Sequence, residues 1–93
     1  MLESKIESYL KKRVAFHGGY CRKLTYIGIR GAPDQLVLIN GRIAFVELKA
    51  PGAKPRASQH AELDLLRAHG QCVYIIDSLQ GVENFIIEMG LIF

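Results

Sequence analysis

Apolar residues recur along this chain in two rhythms, and the switches between them mark out seven elements. Leu2, Ile6, Tyr9, Leu10 and Val14 lie three and four apart, which predicts an opening helix over residues 2–15 that Gly18-Gly19 ends. Residues 20–29 then mix aromatic and β-branched side chains with Arg22, Lys23 and Thr25, predicting a strand with one wet face, after which Gly28 and Gly31 loosen the backbone. Two short apolar runs follow, Leu36-Val37-Leu38-Ile39 and Ile43-Ala44-Phe45-Val46. Asn40-Gly41 between them suits a type I′ turn, whose two central residues both need positive φ, so the pair is read as a hairpin. Ala50-Pro51-Gly52-Ala53-Lys54-Pro55-Arg56 is a basic loop. Ala61, Leu65 and Ala68, with Leu63 and Leu66 nearby, predict a helix over 57–69 closed by Gly70 at C′. The unbroken run Cys72-Val73-Tyr74-Ile75-Ile76 predicts a strand buried on both faces, and Ser78 is placed to cap a last helix through Val82, Phe85, Ile86 and Met89. The order is helix, three strands, helix, strand, helix. A helix joining the third strand to the fourth implies a parallel crossover, so the expected fold is α/β, a mixed sheet flanked by helices.

Composition narrows the class. At 93 residues, without repeat, low-complexity stretch or linker, the whole chain 1–93 is expected to be one domain. An apolar share of 49% beside 23% charged residues is that of a globular protein, and no run approaches the roughly 20 apolar residues needed to span a bilayer. The N-terminus alternates charged and apolar residues and has no apolar stretch of the secretory type, so a cytoplasmic protein is expected. Cys21 and Cys72 lack metal-ligand spacing and read as plain thiols. A net charge of +3 permits nucleic-acid binding without demanding it.

The chemistry gathers on the hairpin. Glu47 and Lys49 are two apart on a strand, so their side chains leave the same face with Cα atoms roughly 6.5 Å apart. The Asn40-Gly41 turn pairs Ile39 with Arg42, and the same register puts Asp34, in Gly31-Ala32-Pro33-Asp34, opposite Glu47 across about 5 Å. Like charges directly opposed destabilise a hairpin unless a cation lies between them. Mg²⁺ or Mn²⁺ would remove that penalty, with the Leu48 backbone carbonyl available as a further oxygen ligand; a solvated Asp–Lys–Glu cluster at a sheet edge is the alternative. Glu7, central in the first helix, and Gln59, opening the second, are candidates to reach the same place. His17, His60 and His69 suggest no ligand set, and Tyr20, Tyr26 and Tyr74 read as core or half-buried, although an exposed Tyr26 could stack on a base. For phosphate contacts the candidates are the run Lys11, Lys12 and Arg13, the residues Arg22, Lys23 and Arg30 before the site, and Lys54 and Arg56 after it.

Gly31-Ala32-Pro33-Asp34, twelve intervening residues and Glu47-Leu48-Lys49 resemble the PD-(D/E)XK nuclease motif. With Glu7 on an opening helix and Gln59 on the helix after the motif, the chain is similar to the VRR-NUC family of virus-type replication-repair nucleases, in particular its minimal stand-alone phage or bacterial members. The resemblance implies a restriction-endonuclease-like core and hydrolysis of DNA phosphodiesters dependent on Mg²⁺ or Mn²⁺. It further implies that Asp34, Glu47 and the Leu48 carbonyl ligate metal, that Glu7 holds the ion or a bound water, that Lys49 positions or activates the attacking water, and that Gln59 orients Lys49 or the phosphate. Members often carry Ser-Pro before the glutamine, where this chain has Arg56-Ala57-Ser58, which puts the start and cap of that helix in question. Small members resemble Holliday-junction resolvases, which implies a homodimer acting on branched DNA, and the apolar segment 85–93 is a candidate dimer surface. Two other functions remain open: a catalytically silent DNA-binding or assembly module, and a restriction-type enzyme that reads a short sequence.

Overall fold

The computed structural model describes residues 1–90. Its elements run α1 (Glu3–Phe16), β1 (Tyr20–Lys23), β2 (Gln35–Ile39), β3 (Arg42–Leu48), α2 (Ala57–Ala68), β4 (Cys72–Ile76) and α3 (Leu79–Gly90). The strands form one sheet in the order β1-β2-β3-β4, antiparallel at the first two junctions and parallel between β3 and β4. This is the mixed α/β architecture expected.

The hairpin forms as the turn chemistry dictates. Asn40 at φ 55° and Gly41 at φ 73° both take the left-handed conformation, and Ile39 pairs with Arg42 through to Gln35 with Val46. Both helix-to-strand connections, α1 to β1 and α2 to β4, leave their helices through glycine. Gly18 and Gly70 adopt positive φ, and the amides of Gly19 and Gln71 reach back five residues to the carbonyls of Val14 and Leu66, the Schellman closure of α1 and α2. At the start of α3 the Gly81 amide donates to Ser78 Oγ at 2.9 Å, as the cap position required.

Period two sorts the strand residues onto two faces. Gln35, Val37 and Ile39 of β2 and Ala44, Val46 and Leu48 of β3 are buried on one face, where Ile6, Leu10 and Val14 of α1 meet Val82, Phe85, Ile86 and Met89 of α3. The other face carries Leu36, Phe45, Glu47 and Lys49, and α2 lies against its β4 side with Leu63 and Gln59 buried. The apolar core thus sits almost wholly between the sheet and the α1–α3 pair, and the carboxylates face α2.

Three expectations are corrected here. The first strand ends at Lys23 rather than near Ile29: its last ladder bond is from the Leu24 amide to the Asp34 carbonyl at 3.0 Å. Gly28 and Gly31 then turn at φ 83° and 98°, leaving Ile27 almost fully exposed. Strand β4 meets α2 on one face and α3 on the other but is not buried on both. It is an edge strand in which Ile76 alone is buried, because α2 covers only part of it. The proposed dimer segment is largely spoken for, since Phe85, Ile86 and Met89 belong to the chain's own core; positions 91–93 lie outside the described residues.

Candidate active site

The last residues of β3 set the site's position. Glu47 points to the α2 face and is 1% exposed, an unusual environment for a carboxylate. One of its oxygens is doubly held: Oε2 accepts from Gln59 Nε2 at 2.7 Å and lies 3.0 Å from Lys49 Nζ. The other, Oε1, is buried with no hydrogen-bond partner among the described residues. Burial raises the pKa of Glu47, Asp34's charge raises it further, and the bond from Lys49 pulls the other way. Asp34, one step beyond the Gln35–Val46 pair, accepts the Leu48 amide with Oδ2 at 2.8 Å. It thereby grips the backbone between Glu47 and Lys49, and the three side chains are fixed relative to one another by strand pairing and a side-chain clamp.

Gln59 explains the altered helix start. Arg56 is the N-cap residue, but a guanidinium accepts no hydrogen bond, so it cannot cap through its side chain. The glutamine does the work from the other side: its Oε1 accepts the Arg56 amide at 2.9 Å while its Nε2 serves Glu47. The same side chain closes the first turn of α2 and orients the carboxylate.

Glu7 does not join the pair. It lies on α1, across the sheet, where it accepts from Gln35 Nε2 at 2.8 Å and pairs with Lys11 Nζ at 3.3 Å. Among the described residues no three His, Cys, Asp or Glu side chains come together as a metal-holding group. Sequence reasoning missed Gln35. It is 1% exposed, and its Oε1 is a second buried acceptor with no partner. The available signal was a polar residue at the start of an apolar run on the core-facing phase of β2.

The basic residues divide. Arg13 leaves the expected run: its Nε donates to Glu83 Oε2 at 2.9 Å, and Tyr9 OH donates to the same oxygen at 2.6 Å, tying α1 to α3. Arg22 folds back, donating to the Cys21 carbonyl at 2.9 Å and stacking over Tyr20 with its guanidinium 4.4 Å from the ring centre. Lys11, Lys12, Lys23, Arg30, Lys54 and Arg56 are exposed. Tyr26 is half-buried and donates to Glu62 on α2 at 2.7 Å. Burial and that bond push its pKa up to about 12. Cys21 and Cys72 are free thiols, and His60 is exposed.

A mixed sheet whose central hairpin presents an acidic pair and a lysine, with a helix-borne glutamine on the acid, defines the restriction-endonuclease-like class of nuclease folds. No family model matches the chain. It is 46% identical over 77 residues to "Putative nuclease p44" of Acyrthosiphon pisum secondary endosymbiont phage 1, spanning 82% of this chain and 83% of that protein. A solved "VRR_NUC domain" superposes with a TM-score of 0.85 at 38% identity, over 95% of this chain and 96% of that one. A solved "VRR_NUC domain protein" at 15% identity superposes with a TM-score of 0.74 over 97% and 91% of the two chains, a likeness of fold alone. The chain belongs to the VRR-NUC family, and its function is that of a nuclease.

Proposed function

We propose that the chain is a divalent-metal-dependent DNA endonuclease, and the observation that carries this reading is the orphaned Glu47 Oε1. A buried carboxylate oxygen without a donor costs stability, and Asp34 beside it compounds the cost by like-charge repulsion. A hard cation is the partner that answers both, so the residues fit Mg²⁺ or Mn²⁺ held by Asp34, Glu47 and the Leu48 carbonyl. Bound there, the ion would supply Lewis-acid polarisation of a phosphate and ease deprotonation of a water.

The chain's own groups do the rest. Lys49 Nζ lies 3.0 Å from Glu47 Oε2 with its side chain 15% exposed, so it can steady the attacking hydroxide or the charge that grows on the phosphate. Gln59 is a positioning residue that holds Glu47 in register. Glu7, tied to Gln35 immediately after Asp34, acts through water and not as a direct ligand. Lys11, Lys12, Arg22, Lys23, Arg30, Lys54 and Arg56 supply the sequence-independent attraction for the strand. The substrate on this reading is branched DNA such as a four-way junction, cut by a homodimer in the cytoplasm, because a two-fold protein matches a two-fold substrate. Among the described residues no helix is long and apolar enough to cross a membrane.

Lys49→Ala tests the chemistry. Incubated with labelled junctions, flaps and linear duplexes in Mg²⁺ or Mn²⁺, the variant should cut about 10²- to 10⁴-fold more slowly while binding DNA nearly as the wild type does. Equal turnover by the two proteins contradicts the assignment.

A further inference from the structure

Six arginines stand in the chain, and four are engaged. Arg13 holds Glu83, Arg22 its own backbone and Tyr20, Arg42 the Glu88 carbonyl, and Arg67 the carboxylate of Asp64. The other two, Arg30 and Arg56, have no side-chain partner among the described residues, although they come from segments 26 positions apart in the chain. They line one hollow of about 390 Å³ together with Gly31 and Ser58.

The hollow is assembled rather than incidental. Gly31, at φ 98°, lies so close to Ser58 that a Cβ there would collide with the Ser58 carbonyl, and Tyr26 OH ties the same loop to Glu62 one turn further along α2. Two tethers therefore hold Arg30 against the start of α2, where Arg56 stands. Two unpaired guanidiniums lining one hollow gather like charge there, which an anion seated in it would offset. The hollow is also joined to the acidic site by one side chain: Gln59 accepts the Arg56 amide with Oε1 and donates to Glu47 with Nε2.

We propose that Arg30 and Arg56 form a clamp for one non-scissile phosphate of the substrate strand, seating the chain of nucleotides so that a neighbouring phosphodiester reaches Glu47 and Lys49. The proposal rests on the nuclease reading and deepens it. The phosphate can be an internal diester or a terminal monoester, which share the oxyanion chemistry the arginines recognise.

The test pairs binding with cleavage. DNA affinity is measured against salt for the wild type, for Arg30→Gln/Arg56→Gln, and for Lys5→Gln, which removes one positive charge from α1. The substrates carry single neutral methylphosphonates at successive positions, and a parallel set ends in 5′-phosphate or 5′-hydroxyl. Wild type should lose about tenfold in affinity at one position or at the unphosphorylated end. The double variant should be insensitive there, with a salt slope shallower by about 1. Lys5→Gln should keep the wild-type pattern of sensitivity. If the double variant keeps the same pattern and slope as wild type, the clamp does not exist. If the wild type shows the pattern and the variant loses it, yet neither cuts with Mg²⁺ or Mn²⁺, the clamp stands and the nuclease assignment fails.

Discussion

Glu47 carries two donors on one oxygen and none on the other, and that asymmetry has a pH signature. Burial and Asp34 raise its pKa above the ordinary 4.5, so the folded protein takes up this proton at a higher pH than the unfolded chain does. The stabilisation from protonation is complete below the unfolded value and is lost as pH rises through the folded one. Glu47→Gln, which cannot ionise, should therefore melt at a higher temperature than wild type near neutral pH, and the gap should close as pH falls toward 4.5. Thermal melts across that window in the absence of divalent ions check it; a gap that widens on acidification is contrary to the account. At this scale Asp34, Glu47 and Lys49 were legible because hairpin register and period two follow from the turn residues alone. Gln35 was not. Its single-residue offset from Asp34 sends it to the opposite face, and only packing reveals that it is buried against α1 with Glu7 as its partner. Glu7 meets Lys11 through ordinary i, i+4 spacing, but its bond from Gln35 is a product of tertiary context.

Among the elements, the segment between Lys23 and Gln35 is held to α2 by backbone proximity at Gly31 and by the Tyr26–Glu62 bond. Gly31→Ala would add a methyl group at a positive φ and against a carbonyl, so the loop or the first turn of α2 must move. The expected cost is about 1–3 kcal/mol, read as a lower melting temperature with faster proteolysis of the segment before Gln35. Unchanged stability would mean that the loop is not seated as described. The helices, the hairpin and the two glycine closures were legible because each depends on local backbone rules. The length of β1 was not, since aromatic and β-branched residues suit a strand wherever a partner exists, and here β2 supplies partners only as far as Gln35. Strand β4 misled for the related reason that an apolar run does not say whether its strand lies inside the sheet or at its half-exposed edge.

Across the whole molecule, the sheet separates two tasks. Its α1–α3 face holds nearly all of the apolar core, and its α2 face is left to the carboxylates, the lysine and the glutamine. The order of elements and the parallel β3–β4 junction were legible from helix and strand rhythm together with the need for a crossover. Which face each helix takes follows from the burial phase of β2 and β3. Segregating the core keeps an acidic pair in place without routing charge through the packed interior, at the cost of a buried oxygen that lacks a donor. Titration calorimetry of the purified protein with Mg²⁺ and with Mn²⁺ tests that arrangement most directly. The wild type should take up the ion and gain melting temperature with its concentration, and Glu47→Gln should do neither. Absence of uptake by the wild type, or equal uptake by both proteins, would contradict the claim that the site is built for a cation.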